Sequence, residues 1–163
     1  MLEFARRHHG NLGRFLQGDA CRLASIPELH PEEFEAVVFL LSIQDIDPLH
    51  DALESAAWAL KPGGRVVLLM THPCFRIPRQ SGWGWDENRK LQFRRVDRYL
   101  TPLPVPLKPI PGQRGVTRSF HRPLHAYLNG LAEGGLLVER VEEIPTYKVP
   151  TTGARAKAEN LAN

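Results

Sequence analysis

Five stretches of this 163-residue chain bring together side chains that could do chemistry. His72 stands in Thr71-His72-Pro73-Cys74-Phe75, directly after the apolar run Val66–Met70. An imidazole there can act as a general base or hydrogen-bond a substrate; equally, it reads as a structural histidine bonded to nearby backbone. Asp19, in Gly18-Asp19-Ala20, offers a carboxylate that accepts a hydrogen bond from a ligand amino group, or that only closes a turn. His121 and Arg122 precede Pro123; the guanidinium suits a carboxylate or phosphate on a substrate, or staples one segment to another. Trp83 and Trp85 flank Gly84 in an expected loop, as a lid over a pocket or as a small satellite cluster. Phe39, Leu40 and Leu41 close a second apolar run, with Ser42 and Gln44 just past its carboxyl end, where open α/β sheets bind ligands. Cys74 has no base beside it in the sequence to make it a nucleophile. His8 and His9 are neighbours on a helix and do not face one ligand. There is no C-x-x-C pair, and no metal site is expected.

Elements of two kinds must hold these residues. Phe34–Ser42 and Arg65–Thr71 are continuous apolar runs, the pattern of strands buried on both faces. Between them Asp47 reads as a helix cap with Pro48 at the first helical position, followed by a stripe of Leu49, Leu53, Ala56, Ala57 and Leu60. Lys61-Pro62-Gly63-Gly64 ends that helix. Strand, helix, Pro-Gly-Gly turn and strand make one βαβ crossover, which predicts a parallel sheet. Upstream, Met1–His9 reads as a helix stopped by Gly10, and Arg14–Gln17 as a short strand ending at Gly18-Asp19-Ala20. Downstream, eight of the 14 prolines fall between Pro73 and Pro123, against a central strand or long helix there. Arg98–Leu107 and Gly115–Arg122 pair best as a two-stranded arm around Lys108–Arg114. Pro123–Glu133 is a helix stopped by Gly134-Gly135, with Leu124, Tyr127, Leu128 and Leu131 on one face. Leu136–Ile144 reads as a strand, and 146–163 as a polar tail.

Composition narrows the class. With 42% apolar and 24% charged residues the chain is an ordinary globular one. Its longest apolar runs are far short of a bilayer span of ~20 residues, so no membrane partner is expected. Two cysteines make no disulfide framework, and the expected location is the cytoplasm. Charge is uneven: from Arg76 to Arg122 there are 11 basic residues against three acidic ones, a surplus of eight. A basic, aromatic-rich segment of this kind is either a solvated insertion over a site or a nucleic-acid surface.

The order of Gly18-Asp19-Ala20, the Phe34–Ile46 strand region and Leu60-Lys61-Pro62-Gly63-Gly64-Arg65-Val66-Val67 resembles the class I S-adenosylmethionine-dependent methyltransferases, in particular the methyltransferase type 11 group. The resemblance covers about Met1 to Pro145. It implies an α/β fold: a partial Rossmann-like methyltransferase sheet with helices on its faces and a Pro-rich insertion, 73–123, after the fifth strand. The methyltransferase domain is then 1–145. Asp19 and Ala20 would lie near the adenine of S-adenosylmethionine, with Phe39, Leu41 and Gln44 beside the cofactor. His72 would be the catalytic residue, and His121, Arg122 and Trp83 would contact the substrate.

The family's glycine-rich loop after the first strand, a G-x-G-x-G type, does not occur in this chain. The chain is therefore expected to be a fragment, cut at both ends. The implied reaction is transfer of a methyl group from S-adenosylmethionine to a small-molecule acceptor. The alternative is an RNA-binding or RNA-methylating protein that uses the basic 76–122 segment. Because a sulfonium methyl is already activated, the protein mainly has to hold a nucleophile in line with it, so the acceptor atom is not legible.

Overall fold

The computed structural model describes residues 2–77, 80–107 and 117–145. The polar tail 146–163 and the Lys108–Arg114 loop lie outside the described residues. The chain forms two compact units: Met1–Met70 with Glu133–Leu136, and Thr71–Ala132 with Leu137–Asn163.

In the first unit, helix α1 (Leu2–His9) precedes strand β1 (Phe34–Leu40), helix α2 (Leu49–Ala59) and strand β2 (Leu60–Leu69). β1 and β2 pair in parallel, from Ala36 opposite Arg65 to Leu40 opposite Leu69, with α2 as the crossover. This is the predicted βαβ unit. The apolar stripe of α2 is buried at Leu49, Ala52, Leu53, Ala56 and Ala59, the i, i+3, i+4, i+7 spacing of one helix face. The helix starts one residue later than expected. Pro48 is its N-cap, with extended ψ at 144°, and Asp47 is not the cap.

The Lys-Pro-Gly-Gly segment is part of β2 rather than a turn ahead of it. Phe34 pairs with Leu60 and Ala36 with Arg65, so four residues bulge opposite Glu35 alone. Two glycines make the bulge possible for different reasons. Gly63 has φ +77°, where a side chain is strained. A Cβ on Gly64 would come within 2.9 Å of the Lys61 carbonyl and 3.2 Å of the Glu35 carbonyl. Lys61 and Glu35 form an ion pair across the bulge. That hydrogen bond is the main reason the Glu35 carboxyl sits below its ordinary value.

Three strand expectations are corrected. β1 and β2 are not buried on both faces. They form a two-stranded sheet whose register partners Val38 and Val67, and Leu40 and Leu69, share a face that is 39–65% exposed. Phe39, one residue out of phase, is buried at 8%. An apolar run permits two-sided burial, but a covering layer on each side must supply it. Arg14–Gln17 forms no strand: among the described residues no neighbouring backbone pairs with it, and the Phe15 carbonyl accepts from the Arg6 guanidinium, at 3.1 Å from Nε and 2.8 Å from Nη2. Leu136–Ile144 forms no ladder either, and Leu137 is 95% exposed.

In the second unit, β3 (Ser81–Asp86) and β4 (Leu91–Val96) form an antiparallel ribbon. Trp83 and Trp85 therefore lie on a strand and not in a loop. At Gly84 the Phe93 ring from the opposite strand lies over the glycine, 2.4 Å from where a Cβ would be, so a side chain there would have to displace the ring. β5 (Leu103–Pro106) and β6 (Arg118–His121) make a second antiparallel pair, the expected two-stranded arm. Pro104 and Pro106 alternate along β5, which pairs on one side only. Helix α3 (Leu124–Glu133) buries Tyr127 and Gly130 and is followed by Gly135 at φ +75°, in the left-handed conformation that ends helices.

Candidate functional site

Ligand positions in a parallel sheet are set at the carboxyl ends of its strands. At the end of β1, Leu41 adopts φ +50°, a left-handed conformation that costs a non-glycine residue about 1 kcal/mol or more. Two hydrogen bonds hold it: its N–H donates to the Leu69 carbonyl at 2.7 Å, and its own carbonyl accepts from Gln44 Nε2 at 2.7 Å. Gln44 lies in the 3-10 turn Ile43–Asp45, whose Ile43 is fully buried. The backbone thus reverses sharply where a ligand of this fold would lie.

The Gly18–Cys21 turn is tied to the same end of the unit. Asp19 Oδ1 accepts the Cys21 N–H at 2.9 Å, the hydrogen bond of an Asx turn. Cys21 Sγ donates to the Pro48 carbonyl at 3.4 Å, so the turn packs against the start of α2. Gly18 has no room for a Cβ, which would meet Ile26 Cδ1 at 2.1 Å. Burial pushes the Cys21 thiol above its ordinary 9.0, and the charges of Asp19, Asp51 and Asp47 push it the same way. It stays a protonated donor. Of the five cofactor-side residues, Asp19, Ala20, Leu41 and Gln44 flank the β1–α2 connection, while Phe39 is core.

The second unit holds the remaining candidates. His72 Nδ1 faces the backbone N–H groups of Cys74 at 3.1 Å and Phe75 at 3.4 Å, so it is the acceptor nitrogen. Nε2 then carries the hydrogen and donates to Glu143 Oε1 at 2.5 Å. The imidazole also packs on the Phe75 ring, with centroids 4.7 Å apart. His121 is buried at 6% and its Nε2 meets the Tyr99 carbonyl at 2.8 Å, while the Tyr99 hydroxyl accepts the Leu124 N–H at 3.0 Å. Arg122, 8% exposed, places its guanidinium 5.2 Å from the Phe120 ring centre. Trp83 is partly exposed and carries the Arg94 guanidinium over its ring at 5.1 Å. Glu143, Tyr99 and Arg94 are partners that no local motif announces. Glu143 lies 71 residues from the histidine it binds.

S-adenosylmethionine suits the first group only in part. Asp19 has a second carboxylate oxygen beside the Oδ1 that holds the turn, whereas the N–H and carbonyl of Leu41 are both taken, by Leu69 and Gln44. Among the described residues, no group of three or more His, Cys, Asp or Glu side chains is placed to hold a metal ion. Likewise, no described helix is long and apolar enough to cross a membrane.

Comparison with known proteins agrees with this geometry. Residues 1–68 match the family model of a methyltransferase domain. The fold is similar to a crystal structure of an S-adenosylmethionine dependent methyltransferase from Mesorhizobium loti, with a TM-score of 0.64 and 25% identity over 98% of this chain and 68% of that one. It also resembles a structure described as a putative S-adenosylmethionine dependent methyltransferase from Listeria monocytogenes, with a TM-score of 0.54 and 23% identity over 69% of this chain and 51% of that one; that likeness shows the fold. No curated protein matches the sequence. The βαβ core, the matched segment and the likeness to the Mesorhizobium loti structure together support a class I S-adenosylmethionine-dependent methyltransferase, a class that transfers a methyl group from that cofactor.

Proposed function

We propose that the methyl acceptor is a small molecule, that the reaction takes place in the cytoplasm, and that Asp19, Ala20, Leu41 and Gln44 hold the adenosine end of the cofactor. When bound, S-adenosylmethionine supplies an electrophilic methyl group. The chain's task is to bind, orient and exclude water. The observation that carries this reading is the tie from Cys21 to Pro48, which gathers the Asp19 turn and the β1–α2 connection at one end of the first unit. His72, with Glu143, is the proposed group for the acceptor's proton, and Trp83, His121 and Arg122 the proposed acceptor contacts. Since Nδ1 is shared by two backbone N–H groups, a proton would be handled on the Nε2–Glu143 side.

Calorimetric titration with S-adenosylhomocysteine tests the assignment of Asp19. Asp19→Asn keeps an oxygen for the Cys21 N–H and removes the charge; Asp19→Ala removes both. A hydrogen bond to a charged group is worth about 1.5–3 kcal/mol, so both variants should bind at least ten times more weakly than wild type. Wild-type affinity in Asp19→Asn would reduce Asp19 to a turn residue. A second reading, RNA methylation, is favoured by the surplus of eight positive charges between Arg76 and Arg122. RNA binding that weakens steeply with salt would support it.

A further inference from the structure

We propose that the Trp83–Trp85 face of the β3–β4 ribbon binds the acceptor, and that this acceptor is a planar aromatic molecule carrying an anionic group; the inference rests on the small-molecule reading above. The register fixes what that face contains. Trp83 stands opposite Arg94, Trp85 opposite Gln92 and Ser81 opposite Val96. Two indoles, a guanidinium and an amide thus share one side of the ribbon. Trp83 and Trp85 are 40% and 49% exposed. Side chains two apart on a strand stand about 7 Å from each other, a spacing across which one flat ring touches both.

The charge on this face is one-sided. Arg94 lies over Trp83 and donates from Nη2 to the Phe75 carbonyl, which fixes its position without neutralising it. Among the described residues no carboxylate pairs with it, and its Nε is buried without an acceptor. The ribbon's own carboxylates are engaged elsewhere. Asp86 Oδ1 accepts the N–H groups of Asn88 and Arg89, both at 3.0 Å. Glu87 pairs with Lys90 at 3.0 Å and Asp97 with Arg95 at 3.2 Å. A stacked guanidinium beside an open indole suits an aromatic ring bearing a carboxylate or similar anion.

Nucleic acid fits less well. A single strand needs a groove of several cations along its backbone, whereas this face has one. Other arginines of the basic segment are placed elsewhere: Arg118 is on β6, and Arg122 is buried with its guanidinium over Phe120.

The test is calorimetric titration of the full chain with 2-naphthoate, its neutral alcohol 2-naphthalenemethanol, cyclohexanecarboxylate and poly(U). Indole N–H resonances are followed in parallel. The expected result is naphthoate binding that moves the Trp83 and Trp85 resonances and leaves that of Trp58, on helix α2 of the other unit, unmoved. The neutral and the non-planar probes should each bind at least tenfold more weakly. Gln92→Glu puts a carboxylate opposite Trp85 without removing a packed side chain, and should weaken naphthoate at least tenfold; Gln92→Asn should not. No naphthoate binding, equal binding by Gln92→Glu, or preferential and steeply salt-dependent poly(U) binding would each overturn the proposal. S-adenosylhomocysteine titrated into the same variants separates the two readings. Gln92→Glu should bind the cofactor as wild type does; equal weakening of cofactor and naphthoate binding would point to a folding defect and overturn the assignment of this face to the acceptor.

Discussion

Replacing Gly64 by alanine should destabilise the β1–β2 pair by about 1–3 kcal/mol, the usual cost of forcing a methyl group into filled space. The new Cβ would lie 2.9 Å from the Lys61 carbonyl, 3.0 Å from Leu60 Cδ2 and 3.2 Å from the Glu35 carbonyl. Leu60 can give by rotating. The two carbonyls cannot, because one belongs to the bulge itself and the other to β1, so relief means opening the strand pair. Two other glycines calibrate the argument. At Gly63 nothing lies within 4 Å, but φ is +77°, so Gly63→Ala should cost about 1–2 kcal/mol through conformation alone. At Gly82 there is neither crowding nor a positive φ, and Gly82→Ala should be neutral or stabilising by up to about 1 kcal/mol. Urea unfolding followed by circular dichroism gives all three values, and a chain of this size should lose about 2–4 °C in Tm per kcal/mol. If Gly64→Ala unfolds at the wild-type midpoint with an unchanged slope, close approach is not why glycine stands there.

Two further predictions concern the site. The Cys21 proton is held more tightly in the folded chain than in the unfolded one, so its contribution is complete below pH 9 and is lost as pH rises through the elevated folded value. The stability difference between wild type and Cys21→Ala should therefore shrink from pH 9 upward, and a difference constant to pH 10.5 would contradict the assignment. Nitrogen-15 correlation spectra should find His72 protonated at Nε2, and Glu143→Gln should keep that tautomer; a hydrogen on Nδ1 would reverse the donor assignments around Cys74 and Phe75.

The crossover was legible because every level of the sequence agreed on it. The 3.6-residue stripe of α2, the proline and glycines after it, and the two apolar runs all require the same parallel pair. What sequence patterning cannot report is whether a strand finds a neighbour. Arg14–Gln17 and Leu136–Ile144 have suitable side chains, yet a ladder needs a second backbone, and the Phe15 carbonyl had already gone to Arg6. The β3–β4 ribbon failed in the opposite direction. Its glycines and polar turn read as loop, but Gly84 serves the strand by making room for Phe93 on the facing one.

The candidate site divides along the same line. The local bonds of the proposed cofactor-side residues are short-range: Asp19 to Cys21 two residues on, and Gln44 to Leu41 three residues back. Such contacts follow from residue type and turn chemistry. His72 stands out in the sequence, but its partner Glu143 lies far along the chain and does not. Nδ1 faces two local N–H groups, and Nε2 faces the Glu143 carboxylate. The same holds for Trp83, whose position on the strand means little until Arg94 is placed over it. The proposed cofactor-side residues thus sit in local turns, whereas the proposed acceptor contacts depend on cross-strand and long-range partners. A methyltransferase of this kind can therefore keep a recognisable core while its acceptor specificity leaves no local motif, and substitutions at Gln92, Arg94 or Glu143 should change acceptor handling while leaving the β1–β2 bulge and the Asp19 turn intact.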